Sequence, residues 1–158
     1  MGMLDILSNQ YRAALKMLEK VISACPEALW LDVGYRNPFW NVAYHALFYT
    51  HLYLQSDEPS FRPWVNHRQD YQNMPQTGEP YTREQVLEYL QVCRDEVSVK
   101  LPLLDLESAS GFFWLPMSNC EVQIYNIRHL QQHTGELSDR LGDRFGIDVE
   151  WISSDRNS

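Results

Sequence analysis

Apolar positions recur at three- and four-residue steps in four segments of the chain, and that period predicts four helices. The first runs from about Leu4 to Ala24, with Leu4, Leu7, Tyr11, Leu15, Leu18 and Ile22 on one face, and Pro26 marks its end. The second opens at Asn37-Pro38, an N-cap residue followed by proline at the first helical position. It continues through Val42, His45, Phe48, Tyr49 and Leu52 to about Leu54. The third starts at Thr82, where Thr82 and Gln85 have the spacing of a capping box, and carries Val86, Leu90, Cys93, Val97 and Leu101 up to Pro102. The fourth starts at a second box, Ser118 with Glu121, and its stripe of Val122, Leu130, Leu137 and Leu141 ends near Gly142. No segment between them alternates apolar and polar residues as a strand would. The pattern predicts an all-α fold, an antiparallel four-helix bundle in one domain spanning residues 1–158.

The connections refine this plan. The first two helices are joined by a short link, but Gln55 to Tyr81 is long and contains Phe61, Trp64, Tyr71 and four prolines. Connections of that length are uncommon in compact domains and are often functional. One long crossover places parallel or diagonal neighbours where it sits. Gly111 to Pro116 forms a second aromatic link, with Phe112, Phe113 and Trp114 in succession. The tail after Trp151 is polar, and fraying is expected there.

Composition narrows the function classes. A 158-residue chain that is 44 % hydrophobic and 13 % aromatic is long enough and apolar enough for one continuous core. No apolar run reaches the roughly 18–20 residues of a bilayer span. The first residues lack a basic segment followed by an apolar run, so no secretory signal is expected and a cytoplasmic location is. The formal net charge of −8 disfavours nucleic-acid binding, because an acidic surface repels phosphates. Cys25, Cys93 and Cys120 are odd in number, widely spaced and without a C-x-x-C motif, which fits buried thiols in a reducing compartment.

Three of the five histidines carry the candidate chemistry. His129 and His133 are four residues apart, so their rings lie one turn apart on one helix face. At about 100° per residue, their azimuths differ by roughly 40° and fall on or beside the apolar stripe. His45 lies in the middle of the second helix among Val42, Phe48, Tyr49 and Leu52. Two readings follow: a divalent metal shared by the three imidazoles, or histidines that satisfy one another by hydrogen bonds in a polar core pocket. Three neutral histidines leave a metal with an open position, as in catalytic rather than structural sites. His51, roughly 240° around its helix from His45, and His67 in the long connection are read as non-ligands. Glu136 falls within roughly 20° of the His129 azimuth. It has four candidate roles: orienting a histidine, accepting a proton, completing the coordination, or forming a surface pair with Arg140 four residues on.

The stretch Arg128-His-Leu-Gln-Gln-His133-Thr-Gly-Glu-Leu137, together with His45 inside Asn37-Pro-Phe-Trp-Asn-Val-Ala-Tyr-His45, resembles the DinB-like superfamily. That superfamily of bacterial four-helix bundles includes YfiT-type metal-dependent hydrolases and bacillithiol transferases. The resemblance implies that His45, His129 and His133 are a metal triad for nickel or zinc, with manganese or iron as alternatives. It implies a small-molecule substrate, with a low-molecular-weight thiol or a water activated at the metal, and a homodimer. Glu136 stands where the family often has glutamine, which puts an extra negative charge near the site. The expected function is a metal-dependent thiol S-transferase or hydrolase, with Trp64 and Tyr71 of the long connection and the Phe112-Phe113-Trp114 link walling the substrate pocket; the alternative is a non-catalytic, metal-stabilised bundle or small-molecule binding module.

Overall fold

The computed structural model describes residues 1–68 and 78–156. Among them are five α-helices and no strand: α1 (Met3–Ala24), α2 (Glu27–Trp30), α3 (Phe39–Tyr53), α4 (Arg83–Lys100) and α5 (Asn119–Phe145). The fold is all-helical, with four helices of substantial length. None of the described helices is long and apolar enough to cross a membrane.

Local signals explain most helix ends. At α4 the capping box forms completely: the Gln85 N–H donates to Thr82 Oγ1 at 3.1 Å and the Thr82 N–H donates to Gln85 Oε1 at 2.9 Å. At α5 one half forms, with the Glu121 N–H donating to Ser118 Oγ at 3.2 Å. Two boundaries differ from the sequence expectation. Pro38, not Asn37, is the cap of α3, and the Asn37 Oδ1 has no hydrogen-bond partner among the described residues. Helix α5 passes through Gly142 and stops a turn later at Gly146, whose φ of 63° is left-handed and suits glycine. There the Gly146 N–H reaches the Gly142 carbonyl and the Ile147 N–H reaches that of Leu141, satisfying the last turn. The short α2, absent from the apolar pattern, buries Leu29 and Trp30 between the long helices.

The four long helices form a ring in which α1 packs on α4 and α5, and α3 packs on α4 and α5. Cross-helix bonds give their directions. Tyr11 meets Gln123 and Met17 meets Gln131, so α1 and α5 run the same way. Tyr53 meets Gln123 and Thr50 meets Asn126, so α3 and α5 run oppositely. Glu19 meets Arg94 and the Cys25 carbonyl meets Arg83, so α1 and α4 also run oppositely. Leu47 meets Cys93 and Gln55 meets Glu96, so α3 and α4, the two joined by the long connection, are parallel. The long connection returns the chain to the end where α3 began, so α3 and α4 are the parallel neighbours expected where a single long crossover sits; α1 and α5 are parallel as well.

Helix α3 is the core element. Every residue of Phe39–Tyr53 is buried except His45 and Tyr49. Its composition explains this, since four faces of aromatic and aliphatic residues leave no polar stripe for solvent. The tail also departs from expectation. It docks along α1 instead of fraying: the Asp155 N–H donates to Asn9 Oδ1 at 2.8 Å, and Arg12 Nε donates to the Asp155 carbonyl at 3.1 Å.

Candidate metal centre

The two residues of α3 that escape full burial, His45 and Tyr49, are one turn apart and face α5, where Tyr125, His129 and His133 form a matching half-buried row. The opposed directions of α3 and α5 bring the rows together. His45 lies 4.9 Å from His133 and 5.2 Å from His129, centroid to centroid. One ligating nitrogen from each of the three histidines lies within 4.8 Å of the others. The sequence-predicted triad is thus assembled, although His45 lies 84 positions before His129 in the chain.

The nitrogens fit a shared metal ion. His129 Nε2 and His133 Nε2 are 3.2 Å apart. Two nitrogens bound at ~2.0–2.1 Å with a tetrahedral angle would be ~3.3 Å apart. A core hydrogen bond explains that one contact but not His45, whose ring makes no hydrogen bond among the described residues and whose Nδ1 is buried without a partner. Buried polar nitrogens without partners are costly and rare, and His129 Nδ1 is a second one in this cluster among the described residues.

Glu136 sets the tautomer of His133. Its Oε2 lies 3.1 Å from His133 Nδ1, and its Oε1 accepts from Arg140 Nη2 at 2.6 Å. Arg140, itself buried, also donates to the Asn37 carbonyl at 2.9 Å and lies over the Tyr35 ring. With its proton on Nδ1, toward the carboxylate, His133 presents a lone pair on Nε2. Glu136 thus contacts both His133 and Arg140, and its pair with Arg140 is not a surface one, because Arg140 is buried.

Burial keeps two of the rings neutral. Desolvation, reinforced by His133 and His129, pulls the His45 imidazole down to about 3. Desolvation, reinforced by His133, pulls His129 down to about 4. Neutral imidazole is the form that binds metal. These depressions have a consequence for the metal-free protein. Below the ordinary value of 6.5 the unfolded chain takes up protons that the folded chain refuses, so stability is complete above 6.5 and declines as pH falls toward 3. Chelator-treated protein should lose Tm progressively below about pH 6.5, and His45→Gln should lessen that slope. A slope unaltered by the substitution would contradict the assignment of a buried neutral imidazole to His45.

Beside the histidines is a cavity of about 480 Å³ lined by His45, Tyr49, Leu52, Tyr53, Glu58, Phe113, Trp114, Tyr125 and His129. The aromatic link before α5 supplies Phe113 and Trp114. It is anchored where Gly111 donates its N–H to the Ser56 carbonyl at 3.0 Å. A Cβ at Gly111 would collide with Ser56 and Asp57, so this approach requires glycine. Three expectations about the pocket wall need correction or fall elsewhere. Phe112 points into the core, edge-on to Tyr53 at 5.2 Å. Trp64 is also buried, stacked on Tyr89 at 4.7 Å, and does not line the cavity. Tyr71 lies outside the described residues. Sequence reasoning missed Glu58, Tyr49, Tyr53 and Tyr125 as lining residues. The i, i+4 spacing of Tyr49 from His45 and of Tyr125 from His129 was the available signal for two of them.

The remaining candidates stand apart from the triad. His51 is buried against Tyr89, with its Nδ1 3.1 Å from the hydroxyl, and burial lowers its pKa. His67 contacts the Tyr44 hydroxyl. Cys25 and Cys93 are buried, and desolvation raises the Cys25 thiol to about 12 and Cys93 well above its usual value. Both are held as neutral core thiols, which are poor nucleophiles. Comparison of the chain with known protein families, with curated proteins and with solved structures finds no match.

Proposed function

We propose that this protein is a divalent-metal-dependent enzyme built as a DinB-like four-helix bundle, and that its chemistry is thiol S-transfer or hydrolysis. The observation that carries the reading is the convergence of three imidazole nitrogens within 4.8 Å of one another, with two of the three residues, His45 and His129, on the wall of an open cavity. His45, His129 and His133 would hold the ion; an all-imidazole set accepts zinc, nickel, copper or iron, and the resemblance to the DinB-like superfamily points to nickel or zinc. A metal bound there supplies Lewis acidity to a thiol or a water. The protein's own part is to present neutral imidazoles, to fix His133 through Glu136 and Arg140, and to wall the cavity with aromatic rings that exclude bulk water.

Two measurements test this in sequence. Protein purified without contact with an affinity metal should carry about one ion per chain. Metal-loaded protein should then consume a low-molecular-weight thiol in the presence of an electrophile, or hydrolyse a small ester or amide, and lose that activity on chelation. Absence of bound zinc, nickel, manganese and iron defeats the metal reading. A full metal complement without turnover favours the metal-stabilised, non-catalytic bundle, for which chelation lowers Tm and nothing else.

A further inference from the structure

The lining of the cavity beside the histidines has an uneven charge and chemistry. It contains three tyrosines, one tryptophan and one phenylalanine, a single carboxylate from Glu58, and neither lysine nor arginine. The rings form a connected set. Tyr49 and Tyr53 are 5.7 Å apart, Tyr53 and Tyr125 are 5.8 Å apart, and Trp114 Nε1 donates to the Tyr53 hydroxyl at 3.1 Å. The Glu58 carboxylate is exposed and makes no hydrogen bond or ion pair among the described residues, so its charge is available to the cavity. Arg128 belongs to a neighbouring cavity of about 180 Å³, which shares only Tyr125 and His129 with this one.

Electron-rich ring faces attract cations, and the attraction grows as water is excluded. A carboxylate at the edge of such a ring set adds a directional charge, and a chain of net charge −8 draws cations toward it over a longer range. Anionic groups find no counter-charge among these lining residues. We propose that this cavity recognises a positively charged amine or quaternary ammonium group on the substrate, held between Glu58 and the rings of Tyr49, Tyr53, Trp114 and Tyr125. The substrate class is then a small cationic molecule whose other end reaches the histidines. This assignment rests on the function proposed above for the cavity being a substrate site, whereas cation binding itself needs no metal.

The test uses choline as the cation, the neutral alcohol in which carbon replaces its nitrogen, and the corresponding carboxylate of the same shape. Binding of each to the full chain is measured by titration calorimetry, with and without chelator, and the metal content of every sample is recorded. Choline should bind about tenfold more tightly than the neutral alcohol, and in chelator-treated protein, where no ion can ligate it, the carboxylate should bind least. Glu58→Gln, a substitution at an exposed position, should remove most of that preference and leave the metal content unchanged. Equal binding of choline and the alcohol overturns the proposal, as does an undiminished preference in Glu58→Gln. The two readings can fail separately. A chain that takes up no metal but prefers choline loses the metal reading and keeps this one; a metal-loaded chain without the preference does the reverse.

Discussion

Replacing His129 by alanine is expected to reduce bound metal from about one ion per chain to nearly none. His129 is one of the two triad members on α5: its Nε2 is 3.2 Å from His133 Nε2, and its ring is 5.2 Å from that of His45. Removal leaves two imidazoles on separate helices, which hold a divalent ion far more weakly than three. The substitution leaves helix α5 intact, because its buried stripe of Val122, Leu130, Leu137 and Leu141 is untouched. Elemental analysis and circular dichroism on the same sample separate the two effects. Glu136→Ala should fall between wild type and His129→Ala, with metal affinity about 10- to 100-fold lower, since it frees the His133 ring to turn and to change tautomer. Full metal content in His129→Ala, or helix loss without metal loss, would remove the histidine from the proposed site.

Phe112→Ala is expected to destabilise the protein by about 3–5 kcal/mol, the usual cost of deleting a fully buried aromatic ring. For a domain of this size the corresponding fall in Tm is on the order of 10 °C. Phe112 is 1 % exposed and packs edge-on to Tyr53, and Trp114 lies 5.4 Å from it. Its loss therefore also loosens two rings of the cavity wall. The adjacent Phe113 is 88 % exposed, and Phe113→Ala should change stability by no more than about 0.5 kcal/mol. Thermal unfolding of the two variants checks the contrast. Similar Tm values for both would mean that Phe112 is not the core residue described above.

That contrast illustrates what a linear pattern conveys. Phe112, Phe113 and Trp114 read alike in sequence, as three aromatic residues in a link. Their fates differ because the link folds back on itself. Ser110 bonds to the Met117 carbonyl and the Asn119 N–H bonds to the Ser108 carbonyl, so successive side chains are sent to different sides. Trp64 was read as a pocket residue for the same lack of information, and it stacks on Tyr89 in the core. Glu58 was invisible as a lining residue, since nothing in Asp57-Glu58-Pro59 sets it apart from any acidic turn.

The sequence by itself determined what short-range physics controls. Helix periodicity and capping at Thr82 and Ser118 located the long helices, because those signals act within a turn or two of backbone. The four-residue spacing put His129 and His133 on one face for the same reason. Tertiary structure alone decided that α3 and α5 run oppositely as neighbours, and so that His45 meets the other two. It also decided that α1 runs with α5, and that α3 and α4, for which the long crossover left parallel or diagonal placement open, are parallel neighbours. An azimuth describes where a side chain lies on its own helix; which helix it faces, and at what depth, depends on burying all four apolar surfaces together. In this chain that shared packing leaves His45 and Tyr49 as the only residues of α3 not fully buried, on the wall of the cavity where the histidines converge.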